Sequence, residues 1–170
     1  MDVLYTGTFD PFTNGHLNII ERASKLFNKV YVLVNTNSAK TSLFAPYERF
    51  TMVSDTLQAN SKIIVLDPPL SDVWAMTTPD FMQKYHIDAL IRGIRNGKDA
   101  EYEHELYLQY KRLFPGIEEL VMFADKEHLD FSSTFVRECI KYKKWDAVKD
   151  CVPPAVFEII RKKFKYDNIK

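Results

Sequence analysis

Five short apolar, β-rich runs, Val3 to Tyr5, Val30 to Val34, Ile63 to Leu66, Ala89 to Ile91 and Leu120 to Phe123, alternate with segments of helical length and pattern. No other feature limits the possible folds as much. Strands that are apolar throughout are buried on both faces, and parallel neighbours need crossover connections long enough to hold a helix. The alternation therefore predicts βαβ units in an α/β fold, a doubly wound domain with a five-stranded parallel sheet and helices on both faces. At 170 residues the chain suffices for one well-buried core, so a single domain over 1–164 with a tail at 165–170 is expected.

The helical segments differ in clarity. Ile19, Ile20, Ala23, Leu26 and Phe27 recur at spacings of three and four, with Asn18, Glu21, Arg22 and Lys25 on the opposite, polar face. Pro46 opens a second helix through Met52, Val53 and Leu57, and another runs from about Asp99 through Leu106 and Tyr110 to Leu113 before Pro115-Gly116 stops it. Two more are expected near the C-terminus, one from about Ser133 and one after Pro153-Pro154. The stretch from Asp67 to Tyr85 fits no single helix. Pro79 is expected to separate a short element at about 72–76 from a helix at about Asp80 to Tyr85.

The opening strand passes through Gly7 and the Asp10-Pro11 turn directly into a helix. That geometry aims free backbone N–H groups at an anion. Gly7 permits close backbone approach, Thr8 and Thr13 offer hydroxyls, and His16 falls in the first helical turn, all compatible with a phosphate. Lys plus Arg and Asp plus Glu both number 23, so no global field favours nucleic acid or an anionic membrane, and a bound anion must be held by local cations. No apolar run approaches the roughly 20 residues of a spanning helix. The N-terminus lacks the basic region of a signal peptide, so a cytoplasmic location is expected. Cys139 and Cys151 are the only cysteines, are not a Cys-x-x-Cys pair, and read as reduced and structural.

In a doubly wound sheet ligands bind beyond the carboxyl ends of the strands, where strand order reverses. The expected exits are Gly7-Thr8, Asn35 to Lys40, Arg92-Gly93-Ile94-Arg95, and, after the last strand, Ser132-Ser133-Thr134. Lys40, Arg92 and Arg95 supply local positive charge, and Gly93 admits a phosphate beside them. Structural readings remain beside the functional ones. Arg92 and Arg95 suit ion pairs with Asp99 or Glu103, and the Ser-Ser-Thr run suits a helix cap, which is compatible with phosphate binding. Trp74, Tyr102, Tyr110 and Trp145 suit core or interface. Neither Gly-x-Gly-x-x-Gly nor Gly-x-x-x-x-Gly-Lys-Ser/Thr occurs, which counts against hydride transfer and a P-loop. Nor is there a Ser-centred elbow or a ligand cluster with metal spacing.

Thr13-Asn14-Gly15-His16 resembles the Thr/His-x-Gly-His signature of the nucleotidyltransferase superfamily, whose fold is Rossmann-like. Arg92-Gly93-Ile94-Arg95, Asp99-Ala100-Glu101-Tyr102-Glu103, the run from Ser132 to Glu138 and the closing Val152-Pro153-Pro154 are together similar to the phosphopantetheine adenylyltransferase family, in family order. The resemblance implies transfer of the adenylyl group of ATP to 4′-phosphopantetheine, with Mg²⁺ on the triphosphate, giving dephospho-CoA and pyrophosphate without a covalent intermediate. It implies His16 and Thr8 at the α-phosphate and Lys40 and Arg92 holding acceptor and phosphates. ATP contacts are implied for Thr8, Phe9, His16, Gly93, Ile94, Arg95, Glu103 and the segment His128, Leu129, Asp130, Phe131, Ser132, Ser133 and Thr134. No metal ligand is implied on the protein itself. Homo-hexamers and feedback by coenzyme A are further family expectations.

The charge of His16 stays open, because a helix N-terminus disfavours protonation and bound phosphate favours it, and the ring donates in either state. Thr6 and Ala39 stand where the family commonly has Pro, and His128 where it commonly has another aromatic. The stretch from Asp67 to Tyr85 is longer than usual and contains Val73, Trp74 and Met76, candidates for the pantetheine arm or for core packing. Two alternatives remain: a sibling that acts on nicotinate or nicotinamide mononucleotide or transfers a cytidylyl group, and a nucleotide-binding regulator without catalysis. Competing acceptors separate the first, and absence of pyrophosphate release marks the second.

Overall fold

Strands β1 (Asp2–Gly7), β2 (Lys29–Val34), β3 (Ile63–Leu66), β4 (Ala89–Ile94) and β5 (Glu119–Phe123) form one parallel sheet in the order β3-β2-β1-β4-β5. The computed structural model describes residues 1–35, 41–66 and 77–165. Strand order reverses at β1, which pairs with β2 on one side and β4 on the other, Tyr5 facing Val32 and Ile91 in register.

Alternating side chains divide the core between the two faces of the sheet. Val3, Tyr5, Val30, Val32, Val34 and Ile91 pack with α1 (Asn14–Leu26), α2 (Pro46–Leu57), α5 (Ser133–Lys141), α6 (Trp145–Cys151) and α7 (Pro154–Lys163). Leu4, Leu33 and Leu90 pack on the other face with Phe81 and Met82 of α3 (Thr78–Lys84) and Tyr110 of α4 (Gly97–Leu113). The doubly wound, five-stranded expectation is met. Its two faces are unequal, since α4 contributes no fully buried side chain, and Leu108, Leu113, Val121 and Phe123 are exposed along α4 and β5.

Several elements depart from the sequence reading for identifiable reasons. Arg92, Gly93 and Ile94 lie inside β4 rather than beyond it, because they pair with Val121, Met122 and Phe123. Helix α4 begins two residues early, where the Asn96 side chain accepts the Asp99 N–H at 3.1 Å and caps it. Pro79 sits in the first turn of α3 rather than before it, a position whose missing N–H costs nothing, and Thr77 is the cap. The short element expected at 72–76 lies outside the described residues. Helix α6 is unforeseen; seven residues are too few to show a period, and burial of Val148 and Cys151 holds it. The polar face of α1 is not simply solvated: Asn18 donates to Asp125 at 2.7 Å and Arg22 to the Phe123 carbonyl at 2.6 Å. Both cysteines are free and buried. Among the described residues no helix is long and apolar enough to cross a membrane.

Leu90 is fully buried on the α3–α4 face. Leu90→Ala is expected to lower unfolding stability by about 2–5 kcal/mol, read from urea denaturation.

Candidate active site

The loop that leaves β1 builds the first wall. Phe9 adopts a positive φ of 50°, which turns its ring back over Gly7 so closely that a Cβ there would stand 2.6 Å from Phe9 Cε1. The ring then meets His16 edge-on at 5.1 Å, while Phe12 stacks on His16 at 5.6 Å. Thr13 caps α1 reciprocally: its hydroxyl accepts the His16 N–H at 3.4 Å, and its own N–H donates to His16 Nδ1 at 3.0 Å. Nδ1 is therefore an acceptor, and the neutral ring carries its proton on Nε2. Burial, aided by the positive charge of Arg95, lowers the His16 pKa to about 4. On the question that sequence left open, burial and the bond to Nδ1 both favour a neutral ring that donates from Nε2 in the unliganded site.

The second wall comes from β4 and α4. Arg92 Nη1 donates to the Thr6 hydroxyl at 3.1 Å, and its Nε lies 3.1 Å from Glu103 Oε2 and 3.8 Å from Glu119 Oε2. Arg95 grips Asp99 with two hydrogen bonds of 2.8 and 3.0 Å. The ion pairs that sequence offered as a structural reading thus exist, and both arginines nevertheless line the same cavity as His16. Burial pushes Glu103 above its ordinary range, opposed by Arg92 and aided by Asp99. Tyr5, whose hydroxyl lies beside Gly93, is raised mainly by burial.

The third wall is the entry to α5. Ser132 caps that helix by accepting the Phe135 N–H at 3.0 Å, Ser133 donates to the Pro11 carbonyl at 2.8 Å, and Thr13 donates to the Phe131 carbonyl at 3.1 Å. Two residues that sequence did not single out hold these loops in place. Asp10 accepts the N–H groups of Leu43 and Phe44 at 2.9 and 2.8 Å, and its carbonyl accepts from Arg137 at 2.6 Å. Arg49, 1% exposed, donates to the carbonyls of Thr8, Asn35 and Phe44. An arginine on a mostly apolar helix face was the available signal for it.

The three walls enclose about 450 Å³ at the carboxyl ends of β1 and β4, the point where strand order reverses. Of the residues the sequence pointed to, Phe9, His16, Arg92, Gly93, Arg95, Glu103, Phe131, Ser132, Ser133 and Thr134 line it, as does Tyr102. Thr8 lies just behind the wall with its carbonyl held by Arg49. Ile94 turns to the α4 side, and Leu129 and Asp130 are exposed. His128 leans on Phe131 at 5.4 Å, its Nδ1 buried without a hydrogen bond among the described residues. Lys40, Val73, Trp74 and Met76 lie outside the described residues.

A parallel sheet with a cavity of that size at its switch point, walled by helix N-termini and two arginines, defines a nucleotide-handling α/β enzyme. The sequence profile of the cytidylyltransferase-like family matches residues 4–139. The chain is 39% identical over 161 residues to the phosphopantetheine adenylyltransferase of Leptospira biflexa, covering 95% of this chain and 96% of that one. It is 35% identical to that of Dictyoglomus turgidum (95% and 96% covered) and 39% to that of Streptococcus suis (94% and 94%). A solved structure from Vibrio parahaemolyticus, provisionally named a nicotinate-nucleotide adenylyltransferase, superposes with a TM-score of 0.70 at 17% identity, covering 96% of this chain and 93% of that one, which is a likeness of fold. The chain belongs to the cytidylyltransferase-like family and, within it, to the phosphopantetheine adenylyltransferases.

His16 in the ligand-free protein is expected to show no protonation step between about pH 5.5 and 8, charging only as pH falls toward 4, as read from its imidazole NMR shifts. Gly7→Ala is expected to force Phe9 off His16 and to cost about 1–3 kcal/mol in thermal unfolding.

Proposed function

We propose that this protein transfers the adenylyl group of ATP to 4′-phosphopantetheine, forming dephospho-CoA and pyrophosphate in coenzyme A biosynthesis. The observation that carries the reading is the convergence on one cavity of His16, the arginines of the β4 end and the N-terminus of α5, within a chain that matches phosphopantetheine adenylyltransferases over nearly its whole length. A phosphate oxygen of the acceptor attacks the α-phosphorus of ATP, that P–O bond forms, and the bond to the bridging oxygen of the leaving pyrophosphate breaks. The acceptor is already a nucleophile, so the residues need only hold two anions in line and stabilise charge at the α-phosphate.

Neutral His16 suits that task. It offers Nε2–H to an α-phosphate oxygen without taking or giving a proton, while Thr13 fixes the ring. Within the proposal Thr8, Lys40 and Arg92 hold the acceptor phosphate, with Val73, Trp74 and Met76 along its arm. Phe9, Gly93, Ile94, Arg95, Glu103 and the segment 128–134 bind ATP, and residues 1–164 form the catalytic domain. Among the described residues no group of three or more His, Cys, Asp or Glu could hold a metal. Mg²⁺ enters the proposal with the triphosphate, as part of the substrate, where it neutralises phosphate charge. Homo-hexamer formation, feedback by coenzyme A and a cytoplasmic location belong to the same proposal. Exposed Leu108, Leu113, Val121 and Phe123 support a protein contact on the α4–β5 face, and two free cysteines support a reducing compartment.

The test is pyrophosphate release from Mg·ATP with 4′-phosphopantetheine, beside nicotinamide mononucleotide and, with CTP, glycerol 3-phosphate. Release with phosphopantetheine alone, together with new dephospho-CoA, is the expected result; turnover of another acceptor moves the substrate, and silence with all three removes the enzyme reading. His16→Ala is expected to lower kcat by about 10²–10³-fold while the calorimetric Kd for ATP changes little, the pattern of a group that acts mainly in the transition state.

A further inference from the structure

Behind the cavity, one guanidinium faces two buried carboxylates. Arg92 Nε lies 3.1 Å from Glu103 Oε2 and 3.8 Å from Glu119 Oε2, yet none of these three buried atoms completes a hydrogen bond among the described residues. A single N–H shared between two carboxylates serves neither fully, and a buried acceptor left over is costly. Glu103 comes from α4, whereas Glu119 opens β5, in a strand that is otherwise apolar, with its side chain only 5% exposed. Ordinary packing of an α/β sheet does not call for a carboxylate there.

We propose that Glu119 is a positioning residue that couples phosphate binding at Arg92 to the uptake of one proton. This rests on Arg92 as a phosphate ligand of the proposed site. When Glu119 is protonated, Arg92 and Glu103 balance, and the neutral cluster does not oppose an incoming anion. When Glu119 is ionised, the cluster carries one more negative charge than positive, and that excess opposes the ligand. In the unliganded site Arg92 Nη1 donates to the Thr6 hydroxyl and Nε faces the carboxylates, and Nη2 is the atom the proposal assigns to the phosphate. The proton comes from solvent on binding and returns to it on release, and no covalent bond of the reaction is involved.

The surroundings agree with the sign. Burial is the largest influence on Glu119 and raises it to about 7, with Arg92 opposing and Glu103 reinforcing. The groups that face the cluster are Tyr5 from β1, Arg95 after β4, and Asp99, Glu103, His104 and Tyr107 from α4. The neighbouring Glu118 is engaged separately by Lys111 at 2.7 Å. An anion brought to Arg92 raises Glu119 further, so uptake falls around and above pH 7, and affinity drops as pH rises through that window.

The experiment measures calorimetric affinity of inorganic pyrophosphate and of 4′-phosphopantetheine for the wild type, Glu119→Gln and Glu119→Ala, at about pH 6 and about pH 8.5. Comparing proteins at one pH cancels the titration of the ligand itself. The expected result is near-equal binding at the lower pH and binding tighter by about tenfold in both variants at the higher pH, equivalent to one pKa unit of coupling. Wild type should also take up more protons per ligand than Glu119→Gln in buffers of different ionisation heat. A wild-type-to-variant ratio that does not change with pH overturns the proposal, as does weaker binding of both variants at both pH values, the mark of a purely structural tether. Thermal unfolding of each variant shows whether it is folded. Pyrophosphate binding with the expected ratios but no phosphopantetheine binding rejects the acceptor and keeps the proton linkage. Failure of both ligands to bind wild type rejects Arg92 as a phosphate site, and the linkage with it.

Discussion

One threonine joins parts of the chain that are far apart in sequence. Thr13 caps α1, donates its backbone N–H to His16 Nδ1, and gives its hydroxyl proton to the carbonyl of Phe131, 118 residues away. The first bond sets the imidazole tautomer, and the second sets the approach to α5 against the loop from β1. Ser133 on Pro11 and Arg137 on the Asp10 carbonyl repeat the attachment. The cavity between two helix N-termini depends on this seam, because neither loop has a regular ladder of its own to hold it.

Electrostatics within the site follow from a chain with no net charge. Positive charge must be local, and here it is stored in pairs: Arg95 with Asp99, and Arg92 with Glu103 and Glu119. Such pairs hold the guanidinium groups in place and keep them from standing desolvated and alone, which would cost far more than the pairing returns. In the proposed reaction an anionic substrate competes with carboxylates already present. His16 differs, since burial keeps it neutral and its donor needs no counter-charge.

The strands and most helices were legible because their signals are local. Val30 to Val34 and Ile63 to Leu66 are apolar and β-branched over a strand's length, and Ile19, Ile20 and Ala23 repeat at helical spacing. The Asn96 cap was local too, but Gly97 and Lys98 carry no apolar period, so the start of α4 was placed late. Candidate site residues were legible where a motif marked them: His16, the two arginines and the Ser-Ser-Thr run all reach one cavity. Asp10, Arg49 and Glu119 were not, since each acts on groups distant in sequence: Asp10 on Leu43 and Phe44, Arg49 on Thr8, and Glu119 on Arg92.

By itself, the sequence determined the α/β class, the five strands, the family and the helix N-terminus that faces the cavity, since each follows from residue type and spacing within a few turns of chain. Tertiary structure alone decided the strand order, the second carboxylate beside Arg92, the neutral Nε2–H state of His16 and the burial of Glu119. These depend on distances between segments and on how far water is excluded from a charge, and neither quantity is written in the neighbourhood of any one residue.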